Sequence, residues 1–259
     1  MLTLEEITSF YPEPLRRYPR FLLREYLQCK ILEIIYDSPY AKGLCFLGGT
    51  CLRIVHGNQR FSEELDFDNL ALSEADFENL AGFIEKELAR EGFETEMRTI
   101  MKGVWHCHIR FPGLLFGEGL SGHKEEKILI QLDTEPQHFD YEPERFVLNR
   151  FEVFTTVLLT PLPLLMAQKL YAIINRERNK GREFFDLVFL MSRNIQPDYT
   201  YLNEKISVSD AGTLQNVVLE KCQQLDMEEM ARDIEPFLFK PTDRKKVVQF
   251  EAVVRQYAF

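Results

Sequence analysis

The sequence predicts an α+β protein in which residues 1–155 form a small mixed sheet with helices packed against it and residues 156–259 form a helical domain. Two observations predict this division. Short strand-like runs that end at turn residues occur before residue 155, whereas from about Pro161 the apolar residues recur at helical spacing. The chain has 259 residues, 45% of them hydrophobic, so it can bury a core without disulfides or a structural metal.

Each element of the first part follows from its own local pattern. Apolar residues at three- and four-residue steps predict a helix, a short apolar run ending at two glycines predicts a buried strand, and alternation of acidic and apolar residues predicts a further strand. Ser73 followed by acidic residues predicts a helix start, and Gly92 its end. In chain order, the predicted elements are a helix over 15–36, a strand over 45–47, one or two helical turns over 50–56, a strand over 64–70, the helix after Ser73, and strands over 93–100, 104–111 and 127–133. Residues 144–159 fit no single period, and six helices follow, over 162–178, 182–193, 198–206, 211–225, 227–238 and 242–257.

The composition narrows the classes of function. The net charge of −10 argues against a generally basic nucleic-acid-binding surface, although it leaves a local basic groove open. Five cysteines without a CxxC pair argue against a disulfide framework and fit a reducing cytosol. The N-terminus is acidic where a signal peptide needs basic residues, and no stretch approaches the ~18 apolar residues of a membrane span. We therefore expect a cytoplasmic protein without a membrane partner.

Three carboxylates share one face of the predicted strand over 64–70. Glu64, Asp66 and Asp68 are two residues apart, while Leu65 and Phe67 point to the other face. Neighbouring side chains on one face of a strand are about 7 Å apart, so these charges repel one another. A divalent cation would remove the repulsion, and hard oxygen ligands suit Mg²⁺ or Mn²⁺. The alternative is a solvated acidic edge strand.

A glycine pair precedes this strand by about fifteen residues. Gly48 and Gly49 follow a buried strand and precede a short helix, where backbone N–H groups can approach a phosphate. Thr50 can offer its hydroxyl or cap the helix. The pair could also be an ordinary turn, but its spacing from the carboxylates predicts a pocket that holds a triphosphate together with its metal ions.

This combination resembles a known family. The segment GGTCLRIVHGNQRFSEELDF is similar to the GGTALR…RFSEDLDF block of the AbiEii/AbiGii-type toxin nucleotidyltransferases, within the DNA polymerase beta-like superfamily. Family members usually have aspartate where Glu64 stands, so the resemblance leaves two metal-binding pairs open, Glu64 with Asp66 or Asp66 with Asp68. Arg60 and Ser62 lie inside the signature and are expected to shape the site. Arg53 is expected to support the residues that line the site without lining it itself.

The family fold implies a third carboxylate on a neighbouring strand. Asp133, at the end of KILIQLD, is the candidate. The family commonly has a lysine two residues earlier, where Gln131 stands here. The alternative is that Asp133 only begins the turn DTEP.

A second block, PLLMAQKLYAIINRERNKGREFFDLVFL, resembles the family pattern L-x-x-K-L-x-A-L-x-x-R…R-D-x-Y-D-L. Lys169, Arg182 and Asp186 match its lysine, arginine and final aspartate. The resemblance implies that Lys169 binds nucleotide phosphates, with Arg182 adding positive charge, and that Asp186 helps to complete the site. The alternatives are a solvated basic helix end and an i,i+4 pair of Arg182 with Asp186.

The resemblance therefore implies a nucleotidyltransferase. It would move a nucleoside monophosphate from an NTP to an acceptor hydroxyl or phosphate and release pyrophosphate, with Glu64, Asp66 and Asp133 holding two metal ions. The helical domain would close one side of the cleft. RNA, with tRNA ends as one form, is the first acceptor, and the protein would be the toxin of a type IV toxin–antitoxin or abortive-infection system, genetically linked to a winged-helix antitoxin without an implied stable complex. The alternatives are a small-molecule nucleotidyltransferase and an NTP-binding module that has lost turnover.

One weaker motif stands outside both blocks. His106 and His108 in WHCHIR share a face of the predicted strand over 104–111. They could form half of a zinc site, but no further Cys or His lies at a suitable spacing, so a partly buried structural pair is the alternative.

Overall fold

The protein is a mixed α/β structure with one seven-stranded sheet followed by helices, as the sequence predicted. The computed structural model describes residues 1–136 and 138–259. The strands are β1 Leu44–Leu47, β2 Glu64–Asn69, β3 Glu96–Lys102, β4 Val104–Phe111, β5 Ile128–Pro136, β6 Glu144–Arg150 and β7 Val153–Leu159. The α-helices are α1 Leu4–Ser9, α2 Pro19–Tyr36, α3 Gly48–Ile54, α4 Glu74–Arg90, α5 Leu114–Gly117, α6 Leu162–Asn175, α7 Gly181–Met191, α8 Tyr199–Ile206, α9 Ala211–Gln223, α10 Met227–Ile234, α11 Lys245–Val248 and α12 Phe250–Gln256.

The strands lie in the order β3-β4-β5-β2-β1-β7-β6. β2 pairs in parallel with β5 and β1 with β7, and the other pairs are antiparallel. The centre of the sheet therefore holds β5, β2 and β1, and four of the selected carboxylates, Glu64, Asp66, Asp68 and Asp133, lie on β2 and β5.

The two faces of the sheet differ in polarity because side chains alternate along each strand. One face carries buried apolar residues, among them Phe46, Leu65, Phe67, Ile109 and Leu132, and α2 and α4 pack against strands of the sheet. α4 begins with a capping box in which Ser73 and Asp76 bond each other's backbone N–H. The other face carries Glu64, Asp66 and Asp133, since residues opposite each other in the register share a face.

β6 and β7 occupy the segment to which the sequence analysis assigned no structure. In β7 the burial alternates as expected for a strand, but Phe154 is 69% exposed and the polar Thr155 only 6%. The hydrophobic pattern therefore does not follow the burial pattern, which is why periodicity missed this hairpin.

Contacts divide the chain into two units. Unit 1 contains 1–56 and 61–159, and unit 2 contains 57–60 and 160–259. The main part of the helical unit begins at 160, four residues after the expected start at 156, and the unit also includes 57–60 from within the signature block. In unit 2 a Cβ at Gly181 would lie 1.8 Å from the carbonyl oxygen of Met230, so glycine allows α7 and α10 to approach closely. None of the described helices is long and apolar enough to cross a membrane.

Candidate active site

Three carboxylates from two neighbouring strands converge in unit 1. Asp66 on β2 lies opposite Asp133 on β5 in the parallel register, and Glu64 precedes Asp66 by two residues on the same face. One oxygen of each carboxylate lies within 4.8 Å of one oxygen of each of the other two. All three side chains are half-buried. This arrangement offers a set of hard oxygen ligands to a divalent cation.

Asp68 is not part of this group, and its carboxylate accepts a hydrogen bond from another residue. The Tyr141 hydroxyl donates to Asp68 Oδ2 at 2.6 Å, and Asp68 is only 5% exposed. Burial and the neighbouring Asp68 charge raise the pKa of Tyr141, so this hydroxyl remains a donor. Of the two pairs that the sequence left open, the geometry groups Glu64 with Asp66.

The glycine pair stands directly against the carboxylates. Gly48 has φ +79°, and a Cβ at this position would lie 2.2 Å from Asp66 Oδ2. Only glycine therefore fits here without displacing the carboxylate. Gly49 is buried in the first turn of α3. Thr50 differs from the expectation, since it is buried and its hydroxyl donates to the carbonyl of Glu64 instead of facing a phosphate or capping α3.

Asp133 is held by two neighbours that bond its carboxylate. His106 Nδ1 lies 2.6 Å from Asp133 Oδ1, and Gln131 Nε2 lies 2.9 Å from both carboxylate oxygens. β4 is antiparallel to β5, and their register sets His106 opposite Asp133 and His108 opposite Gln131. From the sequence, His106 was expected to form half of a zinc site or a partly buried structural pair with His108. In the part of the chain that the structure describes, the carboxylate triad is the only set of three potential ligands this close together.

The polar face continues across β4 and β3 with basic residues. Arg98 lies opposite His108, and Arg110 and Lys102 lie on the same face by alternation. Burial lowers the pKa of His108, and the charge of Arg110 lowers it further. His108 is therefore neutral at pH 7, and the arginines and the lysine carry the positive charge.

Asp186 has a partner that is distant in sequence. In unit 2, Arg60 Nε and Nη2 each lie 2.7 Å from one oxygen of Asp186, and Asn58 Nδ2 donates to Oδ1 at 2.8 Å. Arg60 is 1% exposed and Asp186 0%. Burial alone would raise the pKa of Asp186, but the Arg60 and Lys169 charges lower it. The carboxylate of Asp186, which the family pattern places in the site, is therefore fully buried and bonded to Arg60 and Asn58.

Lys169 lies in the same buried group. Its ammonium is 2.7 Å from Glu183 Oε2 and 3.0 Å from Asp186 Oδ2, and Arg176 Nη1 bonds the other oxygen of Glu183 at 2.7 Å. Burial opposes the charge of Lys169, but the two carboxylates raise its pKa above the usual value. Two carboxylates therefore surround the ammonium that the family pattern assigns to nucleotide phosphates. Arg182 is half-buried on α7.

Two further residues of the signature, Arg53 and Ser62, make hydrogen bonds within unit 1. Arg53 Nε lies 2.8 Å from Glu25 Oε2, and both side chains are buried. The carbonyl of Ser62 accepts a hydrogen bond from Gln28 Nε2 at 3.2 Å. Arg60, which was predicted to shape the site, belongs to unit 2, where it bonds Asp186.

Comparisons with known proteins agree with this architecture. A sequence profile described as "Nucleotidyl transferase AbiEii toxin, Type IV TA system" matches residues 30–253. Two solved structures from Helicobacter pylori share the fold at 18% identity. JHP933 has a TM-score of 0.55 and covers 91% of this chain and 90% of its own. A candidate nucleotidyltransferase has a TM-score of 0.57 and covers 91% and 93%. No curated protein sequence matches the chain.

Proposed function

This chain belongs to the AbiEii family of nucleotidyltransferase toxins of type IV toxin–antitoxin systems, and from that membership we propose that it transfers a nucleoside monophosphate from an NTP to RNA with the help of Mg²⁺ or Mn²⁺. The observation that carries the proposal is the convergence of Glu64, Asp66 and Asp133 within 4.8 Å. Carboxylates that repel one another on two central strands are stabilised in their charged form when a cation lies between them.

The donor set fits a divalent metal. Carboxylate oxygens are the ligands that Mg²⁺ and Mn²⁺ prefer, and partial burial leaves room for substrate oxygens and water. A bound cation would stabilise the negative charge that develops on the phosphoryl oxygens. The hydrogen bonds from His106 and Gln131 hold the Asp133 carboxylate in one orientation, as expected for the neighbours of a metal ligand.

The glycine pair supplies the second part of the proposal. At Gly48 a side chain would collide with Asp66, so the backbone lies directly beside the carboxylates. The start of α3 at Gly48 and Gly49 presents backbone N–H groups without side chains in front of them. We assign the triphosphate of the NTP to the backbone at Gly48 and Gly49, which we call the triphosphate corner. Thr50 stabilises this segment through its hydrogen bond to the Glu64 carbonyl.

The reaction follows from this placement. An acceptor oxygen attacks the α-phosphorus, the bond from that phosphorus to the bridging oxygen breaks, and pyrophosphate leaves on the opposite side. The acceptor hydroxyl loses its proton to solvent. RNA as the acceptor rests on the family resemblance, and the same resemblance supports a genetically linked winged-helix antitoxin as the biological partner.

Carboxylate variants test this function directly. Asp66→Asn should abolish the transfer of a labelled nucleotide to total RNA, while thermal melting shows that the protein stays folded. Glu64→Gln should lower the rate by at least ~100-fold, and Asp68→Asn, which alters a carboxylate outside the triad, should keep activity within a few-fold. Full activity of a folded Asp66→Asn protein, or loss of activity only in Asp68→Asn, would overturn this site. Transfer to a small molecule but never to RNA would overturn the acceptor.

A further inference from the structure

Two exposed cations lie unpaired on the site-bearing face of the sheet. Arg98 and Lys102 on β3 are exposed, and neither has an ion-pair partner among residues 1–136 and 138–259. Beside them, the half-buried Arg110 on β4 contacts His108 Nδ1 at 3.4 Å. The chain has a net charge of −10, so acidic residues that could pair with these cations are abundant. We call Arg98, Lys102 and Arg110 the β3–β4 basic strip.

The register places this strip beside the carboxylate triad. Arg98, His108, Gln131 and Glu64 are successive partners across β3, β4, β5 and β2. Neighbouring strands are about 4.8 Å apart, so β3 lies roughly 10 Å from the strand that carries Asp133. An extended substrate whose reactive end lies at the triad would therefore pass over the strip.

The geometry of the reaction identifies the extended substrate that passes over the strip as the acceptor. In an in-line displacement the acceptor and the leaving pyrophosphate lie on opposite sides of the reacting phosphorus. The triphosphate corner at Gly48 follows β1, on one side of the triad, and the strip lies on the other side, beyond β5. The acceptor therefore approaches from β4 and β3.

We propose that the β3–β4 basic strip binds the phosphate backbone of the RNA acceptor next to its reactive end. This inference rests on the proposed function and names the surface that it requires. Arginine and lysine are the side chains that most often contact nucleic-acid phosphates. Such contacts orient the strand without reading its bases.

The salt dependence of RNA binding tests the strip. We would measure, without NTP, the affinity for a short single-stranded RNA labelled at its 5′ end, over a range of salt concentrations. In Arg98→Gln/Lys102→Gln the slope of log K against log salt should fall by about 1.4, since each phosphate contact on a single strand contributes ~0.7. The affinity for Mn²⁺–NTP should not change.

A matched control and a rescue variant complete the experiment. Lys42→Gln/Lys86→Gln removes the same charge from two exposed lysines outside the strip and should leave the slope as in the wild type. Arg98→Lys/Lys102→Arg keeps the charge and should also keep the slope. An unaltered slope in Arg98→Gln/Lys102→Gln, or an equal fall in the control, would overturn the strip while RNA transfer by the wild type still supports the proposed function. Absence of RNA transfer by the wild type would overturn both.

Discussion

Replacing Asp186 by asparagine should destabilise the protein strongly, because the change leaves Arg60 buried without its counter-ion. Arg60 binds Asp186 bidentately at 2.7 Å, and both side chains are at most 1% exposed. Removing one partner of a buried ion pair costs about 3–5 kcal/mol. For a chain of this length 1 kcal/mol shifts Tm by about 2–4 °C, so Asp186→Asn should lower Tm by roughly 6–20 °C. An i,i+4 pair with Arg182 would be worth only about 0.2–0.5 kcal/mol.

Thermal unfolding followed by circular dichroism at pH 7 is the assay. The matched control is Glu251→Gln, which breaks an exposed i,i+4 pair with Arg255 in the same unit and should shift Tm by less than ~2 °C. The double variant Arg60→Met/Asp186→Leu should lose less stability than the sum of its single variants, because it leaves no isolated charge at either position.

The pH dependence gives an independent check. The pKa of Asp186 is lowered in the folded protein, so its ionisation stabilises the fold fully above the unfolded pKa of about 3.9. This stabilisation is lost as the pH falls through the lower, folded pKa. The difference in stability between wild type and Asp186→Asn should therefore be largest near neutral pH and shrink below about pH 4. A Tm loss below ~2 °C at pH 7, or a loss that does not depend on pH, would refute this account of the pair.

Three further predictions concern the site in unit 1. Gly48→Ala should weaken Mn²⁺ binding at least ~10-fold, because its Cβ would lie 2.2 Å from Asp66 Oδ2. The control Gly57→Ala has a similar φ of +77° but no atom within 4 Å of the Cβ, and it should bind Mn²⁺ normally. Equal losses of Mn²⁺ affinity in the two variants would point to backbone strain as the cause. Gly49→Val should weaken the binding of a non-hydrolysable NTP, measured by titration calorimetry, much more than it lowers Tm, and unchanged affinity would leave the glycine pair as an ordinary turn. His106→Ala should lower Mn²⁺ affinity by about 10–100-fold, since it removes a hydrogen bond that orients Asp133. His108→Ala, two residues further along the same face of β4, should leave Mn²⁺ affinity unchanged. Mn²⁺ titration followed by electron paramagnetic resonance would measure both affinities, and equal affinities would remove His106 from the site.

Local spacing alone identified the acidic face of β2, the glycine turn after β1 and the start of α4. The alternation over 64–70 placed Glu64, Asp66 and Asp68 on one face of a strand, and the apolar run that ends at Gly48 and Gly49 located β1 and the start of α3. The capping residue Ser73 marked the start of α4 for the same reason. These signals are contained within a few residues, so side-chain period and backbone preference are enough to interpret them.

Which of the selected residues contact one another depends on packing between distant segments. The β2–β5 register grouped Asp133 with Asp66 and Glu64, and Tyr141, more than seventy residues away in sequence, occupied Asp68. Asp186 forms an ion pair with Arg60 at a separation of 126 residues, whereas the local spacing had offered Arg182, one turn away, as its partner. In β7, burial followed the position in the sheet and not the polarity, leaving Phe154 exposed and Thr155 covered. Strand registers and buried ion pairs of this kind form only when distant segments pack together, because the partners are far apart in the sequence and no local pattern links them.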